Sequence, residues 1–435
     1  MINRGILDEI TFDYLMKGNQ NYYGPGYMYI LPKIHRLNQS DILKIEDNGF
    51  NIDKIIPLGR PIISRIGTVT ECIGRYVDYF LVPIVHNQHT YITYTADIIH
   101  KIENIKPPAD CWLCSFDISQ MFTNCPINEI LSAVRIAYDD FDKANLKIKC
   151  SPTDDLIYLL KSVLENNIFE FNGQLFQQII GAAIVAIPSC EACDILMYQI
   201  MKEILSKYKG RKNIFFYGRY RDDGFIIYNG NINDIPDFFN MANNHHCFFK
   251  FTHAISQTAI TFFDVNIYKG KKLFNDSILD MKTYFKPTNS FLYLHRNSCH
   301  NRHVFSALIK GEVIRYIRNT YNQDDLQHML TQFKLNLIKQ GYKENEIMRC
   351  INEALTKNRL DLINKNKTKQ NKEIPLILLS RYNPCISKLK QCIIKHWHIL
   401  NQDEVCKEIF TEKPIIAYKR HRNLADLLTS TKLKK

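Results

Sequence analysis

Two kinds of hydrophobic pattern alternate along the chain. Short runs of β-branched and aromatic residues, bounded by turn residues, are typical of strands. They predict strands at Trp112 to Ile118, Phe169 to Phe176 and Ala259 to Tyr268, and on both sides of Asp222. Between them lie longer segments in which apolar residues recur every three or four positions, the spacing of an amphipathic helix. This mixed order predicts an α+β fold with a mostly antiparallel sheet.

The predicted helices have recognisable starts and apolar stripes. Pro126 and Pro152 stand where a helix tolerates proline, in its first turn, and the segment CEACDILMYQIMKEIL repeats apolar residues at helical spacing. After about residue 286 the segments DDLQHMLTQFKLNLIKQGY and NEIMRCINEALTKNRLDLI also predict helices. The buried stripe expected in the first of these is Leu326, Met329, Leu330 and Phe333.

The stretch FYGRYRDDGFIIY, from Phe216 to Tyr228, places two adjacent acids between two strand-like runs. Asp-Asp-Gly is turn chemistry, so a β-hairpin with Asp222 and Asp223 at its tip is predicted. Two like charges about 4 Å apart repel by roughly 4 kcal/mol at an effective dielectric constant near 20. Either both acids point into water, the common outcome for such a turn, or a divalent cation offsets the repulsion. A third carboxylate on a neighbouring strand would favour the cation.

Asp117 supplies a third carboxylate. It follows the apolar run Trp112 to Phe116 and precedes the helix predicted at Pro126, so it is expected at the end of a strand. Three carboxylates meeting there can hold two Mg²⁺ ions about 3.5 to 4 Å apart, an arrangement that stabilises both oxygens of a phosphoryl transfer. For Asp117 taken alone, a buried helix-capping role is the alternative.

Composition narrows the class of protein. A chain of 435 residues that is 46% hydrophobic and 12% aromatic fits a folded protein with two or three subdomains. The formal charge of +12 suits a polyanionic partner, although A/T-biased coding would enrich lysine in the same way. No segment has the features of a signal peptide, and no apolar run is long enough to cross a bilayer. An intracellular protein that does not enter a membrane is therefore predicted.

Cysteine and histidine clusters complete no metal site of four ligands in the sequence. Thirteen cysteines in such a chain predict free thiols. CWLC at Cys111 to Cys114 has zinc spacing but no second pair. HHC from His245 and CHNRH from Cys299 to His303 each offer ligands without completing a set.

Eight segments, in this order, resemble the motifs of reverse transcriptases, and most closely those of Penelope-like elements, which are retroelement polymerases related to telomerase. The resemblance covers nearly the whole chain and rests on the order, because each segment alone is a weak signal. The segments are YILPKIHR at 29–36, GRPIISRIGTVTECIGRYVDYFLVPI at 59–84, SFDISQMFTNCP at 115–126, FNGQLFQQIIGAAIVAIPSCEACDI at 171–195, YRDDGF at 220–225, ITFFDVNIY at 260–268, KPTNSFLYLHRNSCHNRH at 286–303 and RNLADLL at 422–428.

The resemblance implies a right-hand polymerase fold of the α+β class. Fingers are expected at 1–110, a palm with an antiparallel sheet and inserted fingers helices at 111–285, and a mostly helical thumb with a basic C-terminal tail at 286–435. The implied activity is that of an RNA-directed DNA polymerase, which adds dNTPs to a DNA primer on an RNA template. Action in the nucleus is implied as well, whereas no protein partner is.

Carried over by motif, Asp117, Asp222 and Asp223 would be the catalytic residues and would bind two Mg²⁺ ions, or Mn²⁺ in their place. They would activate the primer 3′ hydroxyl and stabilise the departing pyrophosphate.

Nucleotide binding would involve five further residues. Arg60, together with Lys33, would face the triphosphate, and a surface position is the alternative for each. The ring of Phe122 would exclude a ribose 2′-hydroxyl, unless it only packs beneath the helix. Gln178 and Gly181 would line the nucleotide and template pocket, where glycine allows close backbone approach.

Two departures from the family pattern keep a second interpretation open. Ile184-Val185 and Cys190 stand where the family has Met-Gly and a proline. The upstream Asp-Lys-Gly segment and the GIY-YIG endonuclease are expected to be absent. A decayed copy that binds nucleic acid without turnover is the alternative to an active enzyme. An RNA-dependent RNA polymerase is disfavoured by Phe122.

Overall fold

The computed structural model describes residues 4–17, 24–33, 37, 58–144, 146–364, 376–383, 389–410 and 412–420. Its strands are β1 (Gly26–Pro32), β2 (Gly59–Ser64), β3 (Trp112–Ile118), β4 (Ile168–Phe171), β5 (Gln174–Gln177), β6 (Ile214–Tyr220), β7 (Asp223–Tyr228), β8 (Phe251–Ser256), β9 (Ala259–Phe262), β10 (Val265–Tyr268), β11 (Asp280–Thr283), β12 (Ile377–Arg381) and β13 (Ile415–Lys419). Its α-helices are α1 (Glu9–Lys17), α2 (Glu71–His86), α3 (Thr95–Glu103), α4 (Met121–Asn124), α5 (Ile127–Asp140), α6 (Thr153–Glu165), α7 (Ser189–Lys207), α8 (Asp234–His245), α9 (Lys271–Asp276), α10 (Arg302–Asn319), α11 (Gln323–Lys339), α12 (Glu344–Leu355), α13 (Arg359–Ile363), α14 (Leu389–His396) and α15 (Glu404–Ile409).

A four-stranded antiparallel sheet in the order β6-β7-β3-β8 lies at the centre of the molecule. Alternation along β7 directs Phe225 and Ile227 to one core, and Ile226 and Tyr228 to the core on the opposite face. Because both faces are covered, this middle strand is apolar almost throughout. The predicted α+β class with an antiparallel central sheet is confirmed.

Each face of the central sheet carries its own hydrophobic core. On one face, helices α2, α5, α6, α7 and α8 contribute the apolar side chains of the largest core. On the other, a three-stranded sheet in the order β11-β10-β9 packs together with α3. The sheet is thus enclosed on both faces, and its polar side chains gather where the strands end.

A second four-stranded sheet, in the order β2-β1-β4-β5, includes the segment predicted as one strand at Phe169 to Phe176. That segment is a hairpin, since Asn172 and Gly173 between β4 and β5 have φ angles of 51° and 76°. Asn-Gly is the pair that favours a tight hairpin turn. The run Ala259 to Tyr268 is likewise two strands, β9 and β10. In both places the single-strand prediction overlooked a turn inside an apolar run.

Helices α10, α11 and α12 enclose a separate core. Of the predicted stripe, Leu326, Leu330 and Phe333 are buried, and Met329 is partly buried. The predicted helices are confirmed here. Past them, β12 and β13 form a parallel pair, so the C-terminal region is not helical throughout.

Residues 34–36 of the first resembling segment, most of the lysine-rich run 364–373 and the closing segment 422–428 lie outside the described residues. In the part of the chain that is described, no helix is both long enough and apolar enough to span a membrane.

Candidate active site

Asp117 and Asp223 face each other across the ladder of β3 and β7. They are Cα partners in the antiparallel register. Side chains at directly opposite positions project from the same face, with Cβ atoms about 4.5 to 5.5 Å apart. Asp117 is exposed and precedes the last residue of β3, as predicted. Its alternative role as a buried helix cap is wrong, because Gln120 and Pro126 cap the next two helices.

Asp222 lies in a two-residue loop between β6 and β7. Tyr220 at the end of β6 pairs with Asp223 at the start of β7, which leaves Arg221 and Asp222 as the loop. The backbone N–H of Ile118 donates a hydrogen bond of 3.0 Å to the carbonyl oxygen of Asp222. The predicted hairpin is confirmed, and the three acids meet at one end of the central sheet.

Arg221, which looks unusual beside the two acids in the sequence, fixes the conformation of this loop. Its φ is 55°, in the left-handed region that costs a residue with a side chain about 1 to 2 kcal/mol. Its guanidinium donates to Asp194 Oδ2 at 2.5 Å and to Glu191 Oε1 at 2.8 Å, both at the start of α7. These charged hydrogen bonds offset the backbone strain and hold the loop against α7.

Arg219 supports the loop from below and was not predicted from the sequence. Its side chain is only 2% exposed and donates to Asp194 Oδ1 and to the carbonyl oxygen of Arg221, both at 2.6 Å. Asp194, fully buried, therefore binds two arginines. The available signals were an arginine inside an apolar strand and an aspartate on the apolar face of a helix.

A carboxyl pair adjoins this network on its other side. Asp78 of α2 lies beside Glu191, and its Oδ1 atom is buried without a hydrogen-bond partner among the described residues. Burial, followed by repulsion from Glu191, raises the pKa of Asp78 to about 7, against the opposing effect of Arg221. Asp78 is therefore largely protonated at pH values below 7.

Five of the predicted site residues line one cavity of about 680 Å³ next to the loop. They are Asp117 and Asp222, Phe122 from α4, Lys33, which follows β1, and Arg60, on β2. Two cations and two carboxylates thus line the same cavity.

Asp223 opens instead onto a neighbouring cavity of about 590 Å³, which it shares with Asp117. Lys286 also lines this cavity. Desolvation in the cleft, followed by repulsion from Asp222 and Asp117, raises the pKa of Asp223 to about 6, and Lys286 acts in the opposite direction. Near neutral pH the three acids therefore carry a concentrated negative charge.

The chemistry of this donor set fits Mg²⁺, which prefers hard carboxylate oxygens. Ligand atoms of Asp117, Asp222 and Asp223 do not form a group in which all lie within 4.8 Å of one another in the described structure. Asp117 lines both cavities, whereas Asp222 and Asp223 each line one. Asp117, Asp222 and Asp223 are thus the residues that would hold Mg²⁺ here, and the ions would supply charge stabilisation.

Gln178 and Gly181 lie apart from the three acids, beside a third cavity of about 530 Å³. Gly181 has φ of 73°, and a Cβ atom there would stand 2.2 Å from the carbonyl oxygen of Thr123. The amide of Gln178 donates to the carbonyl of Ile180 at 2.8 Å and accepts from Asn167 at 2.6 Å. Gly181 therefore allows its loop to approach α4, which carries Phe122, whereas Gln178 bonds within its own loop and to Asn167.

The departures at Ile184 and Val185 have a local explanation. Ile184 lines the cavity of about 680 Å³, whereas Val185 is 41% exposed. The side chain of Val185 therefore does not occupy that cavity, although the family has glycine at this position.

Comparisons with known proteins were made by family, by sequence and by structure. A family model described as an animal helix-turn-helix domain matches residues 292–352, a segment that contains α10, α11 and most of α12. No curated protein sequence is significantly similar to the chain.

Several solved polymerases are similar in structure. Apo telomerase from Candida tropicalis has 12% identity and a TM-score of 0.44, over 78% of this chain and 59% of that one. Telomerase from Candida albicans, solved with a fragment of telomeric RNA, has 11% identity and a TM-score of 0.45, over 78% and 56%. The RNA-dependent RNA polymerase of a human picobirnavirus has 11% identity and a TM-score of 0.44, over 69% and 55%.

This chain spans little more than half the length of those three proteins. The α+β architecture of the chain, with its antiparallel central sheet, agrees with the right-hand polymerase class predicted from the sequence.

Proposed function

We propose that this chain is a nucleic-acid polymerase, and more specifically an RNA-directed DNA polymerase of a Penelope-like retroelement. One observation carries the proposal. Asp117 faces Asp223 across the central ladder, Asp222 lies in the adjoining loop, and Lys33 and Arg60 line the same cavity as Asp117 and Asp222.

The arrangement suits nucleotidyl transfer from a dNTP to the 3′ hydroxyl of a DNA primer. In this reaction the hydroxyl oxygen attacks the α-phosphorus and pyrophosphate leaves. Lys33 and Arg60 would bind the triphosphate opposite the acids. Asp117, Asp222 and Asp223 would hold two Mg²⁺ or Mn²⁺ ions, which supply charge stabilisation at the attacking and leaving oxygens. Positioning accounts for much of such catalysis.

Phe122 would select the sugar of the incoming nucleotide. Its ring lines the cavity and also packs against the largest core, which limits its movement. A rigid ring beside the ribose would exclude the 2′-hydroxyl and favour dNTPs. Both roles considered from the sequence, selection and packing, are thus compatible in one side chain.

The duplex of RNA template and DNA primer would lie along the cavity of about 590 Å³. Lys286 offers a cation there, beside Asp223. Phosphate contacts of this kind bind a duplex without reading its sequence. We propose the same subdivision as before, with fingers at 1–110, palm at 111–285 and thumb at 286–435. The retroelement resemblance further implies action in the nucleus.

A primer-extension assay tests the proposal. The protein, Mg²⁺ and an RNA template annealed to a DNA primer are expected to give extension with dNTPs, and Asp222→Asn should abolish it. If the folded protein incorporates neither dNTPs nor rNTPs, or if Asp222→Asn extends as well as wild type, the polymerase proposal is wrong.

Sugar selection separates the two polymerase classes. Wild type is expected to prefer dNTPs, and Phe122→Ala is expected to accept rNTPs more readily. A wild-type preference for rNTPs would indicate an RNA-dependent RNA polymerase instead.

A further inference from the structure

Two histidines and a glutamate converge at the far ends of two palm helices, outside the candidate active site. Glu203 lies in the last turns of α7, His245 ends α8, and His246 follows it. His245 Nε2 is 3.1 Å from Glu203 Oε2. One ligand atom from each of the three lies within 4.8 Å of the others, and the described ranges contain no second group of this kind among His, Cys, Asp and Glu.

An ordinary hydrogen bond accounts for the contact between His245 and Glu203, but not for the position of His246. The two imidazole rings stand 4.7 Å apart, centroid to centroid, at 86°. His246 also contacts the ring of Phe248 at 4.8 Å, and no hydrogen-bond partner is found for it among the described residues. A second imidazole is thus held beside His245 and the Glu203 carboxylate without a hydrogen bond that accounts for its position.

Two imidazoles and one carboxylate form a ligand set of the zinc type. Zinc binds histidine nitrogen and carboxylate oxygen at about 2.0 to 2.2 Å, which places tetrahedral ligand atoms about 3.3 Å apart. The pair at 3.1 Å already meets this spacing, and the 59% exposed side chain of Glu203 is free to adjust. A set of three protein ligands leaves a fourth position for water.

The two helices that carry Glu203 and His245 are packed into the largest hydrophobic core. Ile200 and Ile204 on α7, and Phe239 and Ala242 on α8, are buried in the same core. The segment after His246 leads into β8, which pairs with the strand that carries Asp117. Glu203 lies nine residues beyond Asp194, about 14 Å along the helix axis, so a metal here would not touch the catalytic acids.

We propose that Glu203, His245 and His246 bind one zinc ion that joins the ends of α7 and α8. The ion would fasten two helices that support the central sheet, with water in its fourth position. The proposal does not depend on the proposed polymerase activity.

Cobalt substitution tests the site without any assay of activity. The full chain, freed of metal with a chelator, is titrated with Co²⁺ while visible d–d absorption is recorded, and Zn²⁺ is then added as competitor. One equivalent of Co²⁺ is expected to bind with four-coordinate absorption and to be displaced by Zn²⁺. His246→Ala should weaken binding at least about 100-fold, and Glu203→Gln at least about 10-fold.

Matched variants keep the outcome interpretable. Because Glu203 is largely exposed, Glu203→Gln should fold as wild type does. His100→Ala, at an exposed position of α3, should bind cobalt normally. The proposal is wrong if wild type shows no saturable binding, or if Glu203→Gln and His246→Ala bind like wild type. A sulfur-to-cobalt charge-transfer band would also overturn it, because the ion would then lie on a thiol such as the exposed Cys247.

Discussion

The active-site end of the central sheet and the helical cluster of α10 to α12 are stabilised in different ways. Below the two-residue loop Arg221-Asp222, charged groups are buried: the side chains of Arg219 and Asp194 are 2% and 0% exposed. In the helical cluster the interior is apolar and ion pairs lie outside, as between Lys310 and Glu353, which are 40% and 48% exposed. Charge is thus part of the interior in one region and part of the surface in the other.

The position of charge, buried or on the surface, affects how strictly each region fixes its geometry. A buried ion pair adds little net stability, because desolvation cancels most of the attraction, but it allows few alternative geometries. It suits a loop that must hold Asp222 in one place. An apolar helical core tolerates variation in geometry, and its surface charges are replaceable. The same type of substitution should therefore have unequal effects in the two regions.

The largest expected effect is on catalysis. Asp222→Asn removes one negative charge and one metal ligand from the cleft but keeps the shape of the side chain. Loss of several kcal/mol of charge stabilisation predicts a fall in primer extension of at least about 10³-fold. The rate of dNTP incorporation at saturating Mg²⁺ measures it, with Asp110→Asn as an exposed acid just before the other end of β3.

Asp110→Asn is expected to extend primers at the wild-type rate. Equal losses in the two variants would mean that general negative charge matters, and not the position of Asp222. In the helical cluster, Glu353→Gln should leave the chemical step unchanged.

The next largest effect is on folding. Asp194→Asn leaves Arg219 and Arg221 without their shared buried carboxylate. Removal of one partner of a buried pair typically costs about 3 to 5 kcal/mol. We expect a loss of about 3 kcal/mol in the free energy of unfolding, measured by urea denaturation. Glu353→Gln, at an exposed pair, should cost much less than Asp194→Asn. Comparable losses would remove the distinction between the two regions.

The sequence predicts the helical cluster more fully than the site around the Arg221-Asp222 loop. The reason is that the cluster depends on residues close together in the chain, whereas the site joins residues far apart. The stripe of Leu326, Leu330 and Phe333 follows from local helical spacing. The hairpin of Asp222 also follows locally, from turn residues between strand-like runs. The pairing of Asp117 with Asp223 joins residues far apart in the chain, and only the resemblance to a polymerase family indicated it.

Neither the local sequence pattern nor the family resemblance predicted the buried Arg219–Asp194 pair. An arginine in a strand is ordinarily taken as exposed, and an aspartate on the apolar face of α7 does not by itself identify the arginine that it binds. The turns inside the runs at Phe169 to Phe176 and Ala259 to Tyr268 were missed because apolar flanks obscured them, although Asn172-Gly173 is a known turn pair.

One substitution, glycine to alanine, should have opposite signs in the two regions. At Gly224 a Cβ atom would lie 2.0 Å from the ring of Phe116, beside the catalytic loop. At Gly311 in α10 nothing lies within 4 Å. We expect Gly224→Ala to destabilise by about 1 to 3 kcal/mol through overpacking. Gly311→Ala should stabilise by about 0.5 to 1 kcal/mol, because alanine loses less entropy in a helix.

Thermal and urea unfolding of both glycine variants provide the measurement. A stabilised Gly224→Ala would show that Phe116 moves aside without cost, and the loop would then be less tightly packed than its buried charges suggest.

The smallest effect is a difference in pH dependence. The folded-state pKa of Asp78, about 7, lies above its ordinary value of 3.8, so the folded protein holds a proton that the unfolded chain releases. Stability from this group is therefore present at low pH and lost as the pH rises towards 7. Asp78→Asn cannot ionise. Its stability relative to wild type should increase between pH 5 and pH 8, by on the order of 1 kcal/mol after allowance for Arg221.

In the helical cluster the sign is reversed. A hydrogen bond from Lys310 lowers the pKa of Glu353, so its contribution is present at neutral pH and is lost as the pH falls below its ordinary value of 4.5. The penalty of Glu353→Gln should therefore shrink in acid, while the benefit of Asp78→Asn grows as the pH rises towards 7 and is constant above it. Urea midpoints across this range measure both. Parallel pH profiles for the two variants would mean that the carboxyl groups share one environment, contrary to the buried and exposed positions that distinguish the two regions.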